Sequence, residues 1–409
     1  MRSILKPIMT GLLAAACMLA FTNCQREEAK KQPQREQLVL WHYWDIPENQ
    51  RHLEELVHDF NVSQKEAEIK VRYIPDEDFK KQLALAMAEG NMPDIALVDS
   101  SDFQFLHHMQ PFAELTGQIP ELENYLPQAL SACTVDGKIY GQPFGVNCTG
   151  MFYNKELLEK TGCQVPTDWE EFRETAKKTS SEGVSGFAIT ALPTEESMYE
   201  FLPLLWSMGG DVHSINSEAS AGAFSFLDGM EQEGSLSKQS ISLTMGDLTN
   251  QFIQGKIAMM FNSSMAIDSI EEEAPGMEFG VAPIPCGETS VTVAGGEILA
   301  VADNTHKEAA TAFLQYLSEP KRMQSYIDDF GFLAPRQDIM EQQFPEEPLK
   351  QAFIGMYQDA RLRETSTVWP RISLTLADTL GQVLLEDGRT QEILEKTAGK
   401  LAEIREEAP

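Results

Sequence analysis

Apolar positions fall into two alternating rhythms once the chain passes residue 37. Leu38-Val39-Leu40-Trp41 is a short continuous apolar run, and Leu53, Leu56, Val57 and Phe60 then recur at i, i+3, i+4 and i+7, the spacing that lines one face of a helix. Ile69, Val71 and Tyr73 alternate with polar residues as a half-buried strand does, residues 79–88 read as a helix ending at Gly90, and Asp94-Ile95-Ala96-Leu97-Val98 reads as a buried strand. The order βαβαβ predicts an α/β fold built on a parallel sheet. Two later helices are expected to start at capping boxes, Thr167-Asp168-Trp169-Glu170 and Thr305-His306-Lys307-Glu308, where hydroxyl and carboxylate satisfy the free amides of the first turn. No internal repeat is visible.

The N-terminal pattern is of another kind. Arg2 and Lys6 precede an apolar run over residues 8–21, Cys24 follows, and Gln25-Arg26-Glu27-Glu28 is abruptly polar, which is the anatomy of a secretory signal. The run is shorter than the ~20 residues of a membrane-spanning helix. An export signal ending at a cysteine resembles the bacterial lipoprotein signal, which implies a signal peptide over 1–23, acylation of Cys24, and attachment of the exported chain to the membrane by lipid alone. Cys17, behind Ala14-Ala15-Ala16, is the alternative site, and simple cleavage or an uncleaved anchor are the other options. Residues 24–37 lack apolar periodicity and read as a flexible tether.

Composition narrows the function. A length of 409 residues, 42% hydrophobic and 23% charged, fits two or three globular domains. Against 32 Lys and Arg stand 63 Asp and Glu, a net charge of −31, so the long-range field repels phosphate backbones and no nucleic-acid partner is expected. Cys133, Cys148, Cys163 and Cys286 could pair in three ways or remain buried thiols. There is no phosphate-binding glycine loop, no HExxH and no GxSxG nucleophile elbow, so neither a cofactor nor a metal is expected. The pair His107-His108 reads as a solvated loop, and the acid pairs Glu195-Glu196 and Asp328-Asp329 read as chance neighbours in an acid-rich chain.

Several segments occur in an order that is specific in combination: Leu38-Val39-Leu40-Trp41-His42-Tyr43-Trp44, Ala88-Glu89-Gly90-Asn91-Met92-Pro93-Asp94-Ile95, Asp136-Gly137-Lys138-Ile139-Tyr140-Gly141-Gln142-Pro143 with Phe152-Tyr153-Asn154-Lys155, Pro166-Thr167-Asp168-Trp169-Glu170-Glu171-Phe172, Met208-Gly209-Gly210, and Phe252-Ile253-Gln254-Gly255-Lys256-Ile257-Ala258-Met259-Met260. Over nearly all of residues 37–405 the chain resembles extracellular solute-binding protein family 1, the sugar-binding lipoproteins of ABC importers that include maltose-binding protein. The resemblance implies a type II periplasmic-binding-protein-like fold. Its two lobes, each a mainly parallel sheet flanked by helices, would be 38–147 plus 302–345 and 148–301 plus 346–409. The chain would cross between them near Val146 to Gly150, near Ala300 to Asn304, and around Pro345 to Pro348.

In open α/β sheets ligands bind beyond the carboxyl ends of strands, which points to Trp41, Tyr43, Trp44 and Asp45 after the first strand and to Asp99 and Ser100 after another. The resemblance adds Asn147, at an acidic ligand contact of maltose-binding protein, Tyr199, at a sugar-stacking tyrosine, and Trp369 and Arg371 in a late segment returning to the cleft. Asn262 and the turn Gly295-Gly296-Glu297 complete the candidate set. Met260-Phe261-Asn262-Ser263-Ser264-Met265 lacks the family's stacking tryptophan, which argues against maltose itself. The expected ligand is a neutral sugar or oligosaccharide. Tyr43, Trp44, Tyr199 and Trp369 would supply stacking faces and Asp45, Asp99, Asn147, Asn262 and Glu297 hydrogen bonds. The implied protein is a monomeric, non-enzymatic, exported receptor serving an ABC import permease at the outer face of the cell membrane; the alternatives are a polyamine or other small-solute binder, a sensing or adhesive lipoprotein, and a secreted glycan-active enzyme.

Overall fold

The computed structural model describes residues 35–407 apart from 110, 287–290 and 387; the signal segment, Cys17 and Cys24 lie outside the described residues. The last residues assigned to the tether are not loose. Arg35 donates from Nε to the Ala67 carbonyl at 2.8 Å, and Glu36 and Gln37 already pair with Ala67 and Glu68.

Eleven strands are described: β1 (Glu36–His42), β2 (Ala67–Tyr73), β3 (Ile95–Asp99), β4 (Thr134–Val135), β5 (Lys138–Ile139), β6 (Gln142–Asn154), β7 (Ser185–Ala188), β8 (Ile257–Ser263), β9 (Phe279–Ala282), β10 (Thr292–Val301) and β11 (Ala360–Leu362). Nine of them form one sheet in the order β2-β1-β3-β10-β6-β8-β7, with β11 on β10 and β9 on β6, while β4 and β5 pair separately. Leu53, Leu56, Val57 and Phe60 are the buried face of the helix Pro47–Ser63, and the helix Asp76–Glu89 ends at Gly90 in the left-handed conformation.

The sheet is mixed, with parallel pairing at its two ends and between β11 and β10. β2, β1 and β3 run together, as do β7 and β8, but β10 is antiparallel to β3 and to β6, and β6 is antiparallel to β8 and β9. The expectation of mainly parallel lobes is corrected by the two long central strands. β6 carries the chain from the first half to the second and β10 carries it back, so they must point in opposite directions. β6 pairs with β10 up to Cys148 and with β8 from Thr149, and β10 pairs with β11 up to Ala294 and with β3 from Glu297. The return crossing is therefore at Gly295-Gly296. Ala300 and Val301, where it was expected, are already paired with Ala96 and Ile95.

The first half packs Leu38, Leu40, Val57 and Phe60 against Phe313 and Leu314. The second packs Phe172, Phe187, Phe224 and Phe261 with Trp369, Leu376 and Leu394, so the closing helices Trp369–Leu385 and Thr390–Glu406 belong to it.

Local signals needed small corrections. The helix Trp169–Thr179 is capped by Asp168, whose carboxylate accepts from the Glu171 amide at 2.8 Å, and it is Glu171 rather than Glu170 that reaches back to Thr167. Thr305 caps nothing: the helix Lys307–Leu317 has His306 before it and no side-chain cap. A full capping box occurs instead at Thr244 and Asp247. His107 is not solvated but buried, stacked on Phe103 and Phe112 and packed on Tyr140. Cys133 and Cys148 are buried free thiols, and burial pushes that of Cys133 up to about 12.

Candidate functional site

Where the two long strands cross between the halves, a cavity of about 270 Å³ opens, lined by residues from both. From the first half come Tyr43 beyond β1, Asp76 and Lys80 on one face of the helix Asp76–Glu89, and Asp99 and Asp102 at the end of β3. From the second come Glu195, Glu196 and Tyr199 in the opening turns of the helix Glu195–Ser207, with Met245 and Ser263; Asn147, Gly295 and Arg363 form the floor and back. Loops and helix starts thus gather at the carboxyl ends of β1 and β3, as open α/β sheets dictate.

The floor is shaped by absent side chains. Tyr199 donates its hydroxyl to Asn147 Oδ1 at 3.0 Å, and a Cβ on Gly295 would stand 2.3 Å from that oxygen and 2.9 Å from the Tyr199 ring. Gly296 has φ +139° and a Cβ there would meet the Gly145 carbonyl at 2.3 Å. The pair lets β10 pass close over β6. Gly295-Gly296-Glu297 is accordingly strand, not the expected turn.

Arg363 is the central cation. It is buried, donates from Nη1 to Glu195 at 2.8 Å and from Nη2 to Asp99 at 3.2 Å, and its guanidinium lies 5.7 Å from the Tyr199 ring centre. One side chain therefore ties an acid of each half, at a site where desolvation makes such pairing obligatory. Lys80 lies 3.0 Å from Asp102. Burial still pushes the Asp102 carboxyl up to about 6, with Lys80 opposing. Asp76 and Glu196 are also raised above the ordinary carboxylate range, each chiefly by burial. Lys80 opposes the shift at Asp76, and the Met245 amide opposes it at Glu196.

Beneath the lining lies Glu297, buried, accepting from the Tyr43 hydroxyl at 2.7 Å and from Trp44 Nε1 at 3.2 Å. Burial first, and Asp99 second, push its carboxyl up to about 8. Ser100 donates its amide to the Gly296 carbonyl at 2.9 Å and, with Gly296 and Glu297, borders a small void of about 10 Å³ behind the cleft.

The candidate residues therefore divide. Tyr43, Asp99, Asn147 and Tyr199 line the cavity; Glu297, Gly296 and Ser100 support it from behind. Asp45 is exposed and near enough to act electrostatically on Asp76 and Glu196. Trp44 is buried among Phe144, Phe330 and Phe332 and offers no face to the cleft. Asn262 is buried one residue behind the lining Ser263, donating to Thr249 at 3.0 Å. Trp369 is fully buried with its indole N–H on Glu195 at 3.2 Å, so it positions that acid rather than stacking on a ligand. Arg371 is on the surface, 2.7 Å from Glu407. The helix turning through residues 369–371 explains both corrections: one face packs into the second core and the opposite one meets solvent. Trp41, the other aromatic of the first loop, is buried with Arg72 over its ring.

Sequence reasoning missed Asp76, Lys80, Asp102, Glu195, Glu196, Met245, Ser263 and Arg363. The i, i+4 pair Asp76 and Lys80 was a usable signal, since both fall on one helix face. Glu195-Glu196, set aside as a chance pair, opens a helix pointing at the cleft. Arg363 carried no local signal.

Among known proteins, the model of the family described as bacterial extracellular solute-binding protein matches residues 55–352. A binding protein of Brucella abortus is 26% identical over 291 residues, covering 68% of this chain and 70% of its own. The multiple sugar-binding protein of Streptococcus mutans is 24% identical over 348 residues, covering 79% of each chain. Maltose-bound MalE3 of T. maritima superposes with a TM-score of 0.81 at 22% identity, over 90% of this chain and 99% of that one. A shared two-lobed scaffold with its cleft at the crossing strands agrees with a family match that runs through most of the sequence, and the chain belongs to the bacterial extracellular solute-binding proteins.

Proposed function

We propose that this chain captures a sugar or oligosaccharide between its halves and presents it to an ABC permease, without turning it over. The observation that carries the reading is the pairing of Tyr199 with Asn147 over Gly295, facing Tyr43 and Asp99 from the opposite half. Sugar rings offer apolar C–H faces to aromatic rings and hydroxyls to carboxylates and amides, and this floor supplies both. The matched relative in Streptococcus mutans is named for binding multiple sugars. In this reading the halves are rigid lobes, hinged at β6 near Asn147 and at β10 near Gly295. The protein acts as a monomer, held outside the cell membrane by lipid on Cys24.

A thermal-shift screen against mono- and oligosaccharides tests the capture. A ligand bound only by the native state at ~100 times its Kd adds about 2.7 kcal/mol of stability, so one sugar should raise Tm by several degrees and chromatography should recover it unaltered. Release of product, or no response to any sugar, refutes the reading. For the anchor, fatty-acid labelling should be lost in Cys24→Ser; label that persists moves the assignment to Cys17.

A further inference from the structure

The lining of the cleft carries more negative charge than it neutralises. Five carboxylates face it, those of Asp76, Asp99, Asp102, Glu195 and Glu196, against the two cations Lys80 and Arg363. Both cations are already engaged, Lys80 with Asp102 and Arg363 with Asp99 and Glu195. Asp76 and Glu196 are left with no ion pair among the described residues. They lie on opposite sides of the cleft, Asp76 opening one helix and Glu196 near the start of another. Each is disfavoured as an anion first by burial; at Asp76 Lys80 opposes this while Asp99 and Asp45 add to it, and at Glu196 the Met245 amide opposes it while Asp76 and Asp45 add to it. The helix N-termini on which both sit favour such charges but do not neutralise them. The aromatic side points the same way. Two tyrosine rings line the cavity, while Trp44 and Trp369 are withdrawn into the cores.

A neutral sugar closing this cleft would hydrogen-bond the two carboxylates through its hydroxyls but leave their mutual repulsion uncompensated. A protonated amine placed between them would relieve that repulsion and form charge-assisted hydrogen bonds to both. We infer that the ligand is an amine-bearing sugar whose ammonium group sits between Asp76 and Glu196. The remaining hydroxyls meet Asn147, Asp99 and the tyrosine rings. The inference rests on the sugar-binding reading and refines it.

Calorimetry with matched triplets tests it: 2-amino-2-deoxyhexoses of the gluco, galacto and manno series, as monomers and dimers, beside their N-acetylated forms and the corresponding neutral sugars. The free-amine member of one series should bind at least about tenfold tighter than its two counterparts, ~1.4 kcal/mol. Asp76→Asn and Glu196→Gln should each erase that preference while the thermal midpoint of the unliganded protein stays near that of the native chain. If either variant does not fold, the comparison within a triplet on the native chain still decides. Equal or tighter binding of an N-acetylated or neutral sugar overturns the inference and leaves sugar capture standing. With spermidine titrated beside the triplets, its binding with no sugar bound, or no binding across both the triplets and the mono- and oligosaccharide screen, overturns both.

Discussion

Glu297 is a carboxyl placed where its charge is unwelcome, beneath the cleft with Tyr43 and Trp44 donating to it. Its pKa rises from 4.5 in the ordinary state to about 8 in the fold. The folded protein therefore holds a proton that the unfolded chain releases, so this contribution to stability is complete below about pH 4 and is lost as pH rises through 8. Asp102, raised to about 6, acts with the same sign over a lower window. His42 acts oppositely: burial lowers it from 6.5 to about 4, and stability is lost as pH falls through that interval. Glu297→Gln, which cannot ionise, should lose on the order of 2–4 kcal/mol less than the native chain between about pH 5 and about pH 8. Urea unfolding of both proteins across that range measures it, and parallel pH profiles would show that Glu297 does not titrate there.

At the scale of elements, the crossing strands are the most constrained parts of the fold. β6 and β10 each serve both halves, and their close passage depends on Gly296 holding a left-handed φ with no Cβ against the Gly145 carbonyl. Gly296→Ala should therefore destabilise by roughly 2–4 kcal/mol, combining backbone strain with the steric overlap. A denaturation midpoint unchanged from the native chain would show that β10 shifts to accommodate the methyl group. Helix starts were legible only to within a residue. Thr167-Asp168-Trp169-Glu170 and the true cap at Asp168 share most of their residues, and the choice between Thr167 and Asp168 depends on which backbone amides the fold leaves free.

On the scale of the whole molecule, two halves joined by paired strands and bridged by one buried arginine form an assembly that can bend at the crossing. Closing over a ligand requires contacts that the open state lacks. Saturating sugar should lower the radius of gyration seen by X-ray scattering, and an unchanged curve with binding confirmed by calorimetry would argue for a preclosed cleft. The overall charge of −31 makes closure without a compensating ligand costlier still at low salt.

The sequence by itself determined what repeats along the chain. The face of Leu53, Leu56, Val57 and Phe60, the first strand through Trp41 and the buried strand reaching Asp99 follow from periodicity, because each records a local choice between water and core. It also pointed to Tyr43, Asp99, Asn147 and Tyr199, through strand ends and family order. Tertiary structure decided the rest. Whether Trp369 faces a ligand or a core depends on which way a helix is turned by neighbours some 170 residues away, and Arg363 becomes central only because Glu195 and Asp99 arrive from separate halves. Such pairings are set by burial and charge in three dimensions, and they leave no spacing in one.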